Sequence, residues 1–195
     1  VPLVLLQTPP PWVAADHPCY VEQSPIDLHG GGFTPGAPLR ITREGEVVAT
    51  LSAQPDGTFT AMLDSGDLPD GLAERATELT VSDAESTVVR HVRVTTFGAS
   101  FAPKVTSPTA YVRFSAFGFG QHRSVYVHYL RPDGSAAATV RLGTTRGVCG
   151  TIKRTAKRRL FPFKPRPGQW RLQFDTSRRV DPDAAPRIVV PVRVD

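Results

Sequence analysis

Trp170-Arg171-Leu172-Gln173-Phe174-Asp175 alternates large apolar and polar side chains with a period of two. That is the period of a β-strand with one face in a core and the other in water. The spacing predicts Trp170, Leu172 and Phe174 inside, and Arg171, Gln173 and Asp175 outside. Upstream, Val125-Tyr126-Val127-His128-Tyr129-Leu130 runs into the turn sequence Arg131-Pro132-Asp133-Gly134 and then into Ala138 to Leu142, which reads as a hairpin. Tyr111, Val112, Phe114 and Phe117 fall in a further strand, and Leu160–Phe163 and Arg187 to Val194 supply later ones.

The first half carries the same design. Tyr20–Val21, Ile26 to Leu28, the alternating Leu39 and Ile41, and Val47 to Leu51 are short runs separated by turns. Pro55-Asp56-Gly57 turns the chain into Thr58 to Leu63, and Leu79 to Val81 and Val88 to Val94 close the set. Leu68 to Ala76 is expected to form a short helical turn. The 19 prolines and 16 glycines are spread along the chain, as punctuation between short elements requires. With 195 residues and about 100 per sandwich, the pattern predicts an all-β fold of two tandem immunoglobulin-like β-sandwich domains. The expected divisions are an extended N-terminal arm at 1–16, an acidic domain at 17–97 and a basic domain at 98–195. The arm is read from the apolar stretch Val1 to Leu6 and from Pro9-Pro10-Pro11, which neither a helix nor a central strand tolerates.

Charge separates the halves. Residues 1–97 hold 5 Lys/Arg against 13 Asp/Glu, and residues 98–195 hold 18 against 5, so a net charge of +5 hides halves of −8 and +13. Opposite fields in tandem are complementary to the opposite ends of neighbouring copies, which suits head-to-tail association. The densest run, Lys153-Arg154-Thr155-Ala156-Lys157-Arg158-Arg159, lies beside Phe161, Phe163 and Lys164. Cations interleaved with aromatic rings are the pattern of a site for an anionic polymer. A solvated loop between two strands is the competing account.

Hydrophobic residues at 40% and charged residues at 21% are those of a globular chain, and no apolar run is long enough to cross a membrane as a helix. The two cysteines, Cys19 and Cys149, are too few and too far apart for a zinc site or a CxxC redox motif, and read as one structural disulfide formed outside the cytoplasm. Strand counting leaves open whether they bond within one chain or between neighbours. The opening at Val1 reads as a mature product exported with its signal peptide removed, so the expected location is extracellular or at the cell surface.

The run Gly31-Gly32-Phe33-Thr34-Pro35-Gly36, then Leu39-Arg40-Ile41 and Asp56-Gly57-Thr58-Phe59, resembles bacterial extracellular Ig-like domains of the kind common in secreted actinobacterial proteins. In the second half, Gly147-Val148-Cys149-Gly150, Leu160-Phe161-Pro162-Phe163 and Gly168-Gln169-Trp170-Arg171-Leu172 look like the companion domain of such proteins. The resemblance implies fold and location, and roles as stalks, adhesin modules or filament subunits. It does not imply an activity.

Histidines 17, 29, 91, 122 and 128 sit in no catalytic frame, with neither a GxSxG elbow nor an HExxH pair, so no catalytic residue, metal site or cofactor is expected and the chain is not expected to be an enzyme. Asp27 and His29 share a strand face, and Asp64-Ser65-Gly66-Asp67 and Asp181-Pro182-Asp183 are acidic turns. Each is short of a ligand set. The preferred reading is a structural subunit of an extracellular filament, pilus-like fibre or surface assembly. It would polymerise with itself head to tail by donating Leu3, Val4, Leu5 and Leu6 as a strand to a neighbour. The alternative is a monomeric adhesin-like module that binds an anionic glycan or polymer through Lys153, Arg154, Lys157, Arg158 and Arg159. Nucleic acid is not the expected partner.

Overall fold

The computed structural model describes residues 9–104 and 107–194, and the arm residues Leu3, Val4, Leu5 and Leu6 lie outside them. Among the described residues the fold is all-β, with fifteen strands, no helix, and no segment suited to cross a membrane as a helix. The chain divides into two compact units between Val94 and Thr95.

In the first unit, β1 (Trp12–Ala15), β3 (Pro25–Gly31) and β6 (Phe59–Asp64) form a three-stranded sheet in the order β1-β3-β6. The other sheet has the order β2-β8-β7-β4-β5, built from β2 (Cys19–Val21), β4 (Pro38–Arg43), β5 (Glu46–Ser52), β7 (Glu74–Ser82) and β8 (Thr87–Thr95). Both sheets contribute to one core, in which Ile26, Leu28, Leu39, Ile41 and Val81 are fully enclosed and Phe33 meets Phe59 edge-on at 5.6 Å between centroids. Burial of such side chains stabilises by roughly 1.5–3 kcal/mol each.

Two expectations for this unit change. Residues Trp12–Ala15, read as part of the arm, are a strand of the unit's own sheet, pairing with Gly31 to Leu28. Two glycines make room for it. A Cβ on Gly30 would stand 2.4 Å from the Trp12 carbonyl oxygen and 2.5 Å from the Phe59 ring. Gly31 leaves space beneath the Trp12 indole. The second change is at Leu68 to Ala76, which forms no helical turn: Pro69 and Gly71, whose φ is +82°, bend the chain, and from Glu74 onward it is already strand β7.

The second unit repeats the plan. One sheet has the order β13-β10-β9, from β9 (Gly98–Ala102), β10 (Tyr111–Phe117) and β13 (Arg158–Arg159). The other has the order β12-β11-β14-β15, from β11 (Ser124–Leu130), β12 (Ala136–Thr144), β14 (Gly168–Asp175) and β15 (Ile188–Val194). Setting β2 aside, the two units put their first, second and fifth strands in one sheet and the rest in the other. This is an immunoglobulin-like arrangement with the fourth strand moved to the second sheet.

The core of this unit is aromatic. Phe114, Phe161 and Phe174 are buried, and Tyr129, Phe161, Phe163 and Trp170 stack in a chain of ring contacts at 5.3–5.8 Å. The buried Tyr129 hydroxyl donates to the Leu160 carbonyl oxygen at 2.8 Å, which satisfies the polar end of an otherwise apolar residue. Leu160–Phe163 is a bend and not the strand that its composition suggests. The strand lies just before it, at Arg158–Arg159, because Leu160 and Phe161 dive into the core while Pro162 has no N–H to give to a ladder.

Candidate anion-binding face

The basic run is held along one edge of the three-stranded sheet of the second unit. Its anchor is Thr155, which is buried between exposed cations. The Thr155 hydroxyl accepts the Phe114 N–H at 2.9 Å and donates to the Ala156 carbonyl at 2.9 Å, while the Thr155 N–H donates to the Phe114 carbonyl at 2.9 Å. The strand beside it holds the flanking backbone as well. The Ser115 hydroxyl donates to the Lys153 carbonyl at 2.7 Å, and the Arg113 guanidinium to the Thr155 carbonyl at 3.1 Å. Pinned in this way, the segment keeps Lys153, Arg154 and Lys157 exposed.

Register decides which residues share a face. Tyr111 pairs with Arg159 and Val112 with Arg158, so Arg159 stands on the outer side with Tyr111 and Arg113, whereas Arg158 follows the fully buried Val112. Arg158 instead donates to the Arg141 carbonyl at 3.2 Å, toward the edge strand of the other sheet. Tyr111 is 52% exposed, and the Lys157 ammonium sits over its ring at 5.9 Å, within reach of a cation–π contact. The structure therefore gathers Tyr111, Arg113, Lys157 and Arg159, with Lys153 along the same edge. Arg154 is exposed without a shown contact to this group, and Arg158 turns away from it.

None of Lys153, Arg154, Lys157, Arg158 and Arg159 forms an ion pair among the described residues. Three of the unit's described acids, Asp133, Asp175 and Asp181, are engaged elsewhere. Asp133 is tied into the β11–β12 turn, where the Ser135 hydroxyl and N–H hold its carboxyl below the usual range. Asp175 is buried. Asp181 accepts the Asp183 N–H in its own turn. Unpaired cations on a rigid strand edge, with an aromatic ring among them, can hold a polyanion at little entropic expense.

Sequence reasoning found the cations but not their frame. Tyr111 and Arg113 are 40 or more positions away from the basic run, and only the β10–β13 register unites them. Phe161, read as flanking the run, belongs to the core. Phe163 and Lys164 instead line a groove of about 640 Å³, with Arg131, Arg166 and Trp170 around it.

Among the described residues no group of three or more His, Cys, Asp or Glu could hold a metal ion. His29 meets the Trp12 ring edge-on at 5.8 Å, and Asp64 accepts the Gly66 N–H within its own turn. Both cysteines are disulfide-bonded and neither is a free thiol.

No protein-family model matches the chain, and no curated protein matches it in sequence. Solved structures similar to it include the human OSCAR ligand-binding domain, at 13% identity and a TM-score of 0.34, covering 96% of this chain and 99% of that one. A tetra-tandem repeat in the extending region of a large adhesion protein matches at 15% identity and a TM-score of 0.33, covering 95% of this chain and 49% of that one. The Yersinia pseudotuberculosis adhesin InvE matches at 9% identity and a TM-score of 0.34, covering 95% of this chain and 58% of that one. The chain thus spans about half the length of these last two. At such scores the fold assignment stands on the strand order of the chain itself.

Proposed function

We propose that the chain is an extracellular adhesin-like module whose second unit attaches to an anionic polymer, an acidic glycan being the favoured class. One observation carries the reading: Lys153, Lys157 and Arg159 are unpaired and exposed beside Arg113 and the half-exposed Tyr111, on a strand edge anchored by the buried Thr155. The disulfide-bonded cysteines support a location outside the reducing cytoplasm. Binding of this kind is salt-sensitive, because exposed charges are screened within about 8 Å at physiological ionic strength.

Retention on immobilised heparin tests it. The parent chain should elute at raised salt, and the Lys153→Glu, Lys157→Glu, Arg159→Glu triple variant should lose that retention. Arg158→Glu changes the net charge by as much as Arg159→Glu alone but faces away from Tyr111, so it should shift elution much less than Arg159→Glu. Equal elution of the parent and the triple variant would end the proposal.

A second reading, self-association in a head-to-tail surface assembly, is supported by the opposite charges of the two parts of the sequence, −8 and +13. Negative-stain microscopy of unreduced protein at low salt should then show filaments or rings, and dispersed particles would refute it.

A further inference from the structure

The alternation in β14 breaks where it should be simplest. Gln173 and Asp175 lie on the outward face of their sheet, yet both are buried, and so is His128 on β11. The residues after Asp175 fold back over them. The Ser177 N–H donates to Asp175 Oδ1 at 2.8 Å, and the Gln173 amide donates both to Asp175 Oδ2 at 2.8 Å and to the Asp181 carbonyl at 2.9 Å. His128 Nε2 lies 3.1 Å from Asp175 Oδ1, and His128 Nδ1 lies 2.8 Å from the hydroxyl of Thr139, an exposed residue of β12.

These distances orient the protons. A carboxylate offers only acceptors, so His128 Nε2 carries the hydrogen toward Asp175, and in the neutral ring Nδ1 then presents its lone pair to the Thr139 O–H. The result is a hydroxyl, a base and an acid that orients the base, with the hydroxyl on an exposed threonine and the other two residues enclosed. The fold does not demand this. In the first unit the row paired as Thr139, His128 and Gln173 are paired here is Thr50, Arg40 and Ser82, and it is not buried: Arg40 and Thr50 are exposed and Ser82 is half-buried. Enclosing a histidine and an aspartate carries a desolvation penalty that the sister sandwich avoids.

We propose that Thr139 is an activated nucleophile that accepts an acyl group from an activated ester. Thr139 Oγ attacks the carbonyl carbon while its proton passes to His128 Nδ1. The tetrahedral adduct collapses, the bond from carbon to the leaving oxygen breaks, and the departing alkoxide takes the proton back from His128. One ester and one threonine give one threonine ester and one alcohol. Asp175 positions the imidazole and stabilises its transient positive charge. The reaction links the acyl group covalently to this unit and proceeds once per chain.

The test uses the full chain with p-nitrophenyl acetate, following nitrophenolate release and locating the acetyl group by peptide mass spectrometry. The expected result is a burst of one equivalent with the acetyl on Thr139, absent in Thr139→Val and retained in Thr139→Ser. General-base assistance is worth roughly a hundredfold or more, so His128→Gln should slow the burst by about that factor and Asp175→Asn should slow it as well. Thr139 is exposed, so its variants keep the core, and far-UV circular dichroism checks this. Acetylation confined to lysines or the N-terminus, an undiminished burst in Thr139→Val, or Thr139 labelling at the parent rate in folded His128→Gln would each overturn the proposal.

Discussion

The two units are one topology solved with opposite surfaces. β1-β3-β6 corresponds to β9-β10-β13, and β5-β4-β7-β8 to β12-β11-β14-β15, strand for strand. Beneath the shared plan the chemistry diverges. The first unit is acidic, carries a six-residue fifth strand and leaves the centre of its larger sheet open to solvent on the outer side. The second is basic, shortens the fifth strand to two arginines and encloses a histidine–aspartate pair where the first displays Arg40. Topology sets where strands lie, and the outward residues remain free to specialise. The second unit departs from its sister at the basic strand edge and at the enclosed histidine–aspartate pair.

Breaking the enclosed pair should separate the units most sharply. Asp175→Ala leaves the His128 Nε2–H, the Gln173 amide and the Ser177 N–H without their acceptor, and a buried donor left unmade costs about 1–3 kcal/mol, so the variant should lower the urea midpoint markedly. In the first unit Arg40→Ala, at the position that matches His128, should stay within about 0.5 kcal/mol, as exposed substitutions do. Equal effects would mean that the outward rows are not different in kind.

Thr155→Val tests the frame of the basic face. It strands the Phe114 N–H inside the core, at a cost of about 1–3 kcal/mol, and it should also weaken heparin retention without altering net charge. If stability falls and retention does not, the cations act without a fixed frame. Tyr129→Phe should cost less, about 1 kcal/mol, because it removes a single buried hydrogen bond to Leu160.

The smallest effect belongs to the first unit. The Tyr20 hydroxyl donates to Asp16, which lowers the pKa of that carboxyl, while burial and the same bond raise that of Tyr20. A carboxyl depressed in the folded state contributes stability above its unfolded pKa of about 3.9, and this is lost as pH falls through the lower folded value. A pH titration of thermal stability should show that loss in acid, reduced in Tyr20→Phe, and an unchanged titration would remove Asp16 from the account.

Much of the fold was legible because its signals are local. The alternation of Trp170, Leu172 and Phe174 and the turn after Leu130 need only a few neighbours to be interpreted. What escaped the sequence depends on distant partners. Gln173 and Asp175 look solvent-facing until His128, 47 residues before Asp175, is seen beside them. Trp12 to Ala15 follows a proline run and reads as an arm until Gly30 and Gly31 are seen to leave it a place. In the basic run, charge was visible and direction was not: Arg158 and Arg159 are adjacent in sequence, but a strand sends them to opposite sides. The small Thr155, which carries no charge, proves to be what fixes the cations around it.

The two tryptophans fall one to each unit and differ in exposure. Trp12 lies above Gly31 with 47% of its surface in solvent, and Trp170 is 3% exposed, with its indole N–H bonded to the Arg166 carbonyl at 2.8 Å. Fluorescence from the native chain is therefore a sum of a red-shifted, quencher-accessible emitter and a blue-shifted, shielded one. Acrylamide should silence the first well before the second, so one cuvette can follow the fate of each half of the molecule separately without any label.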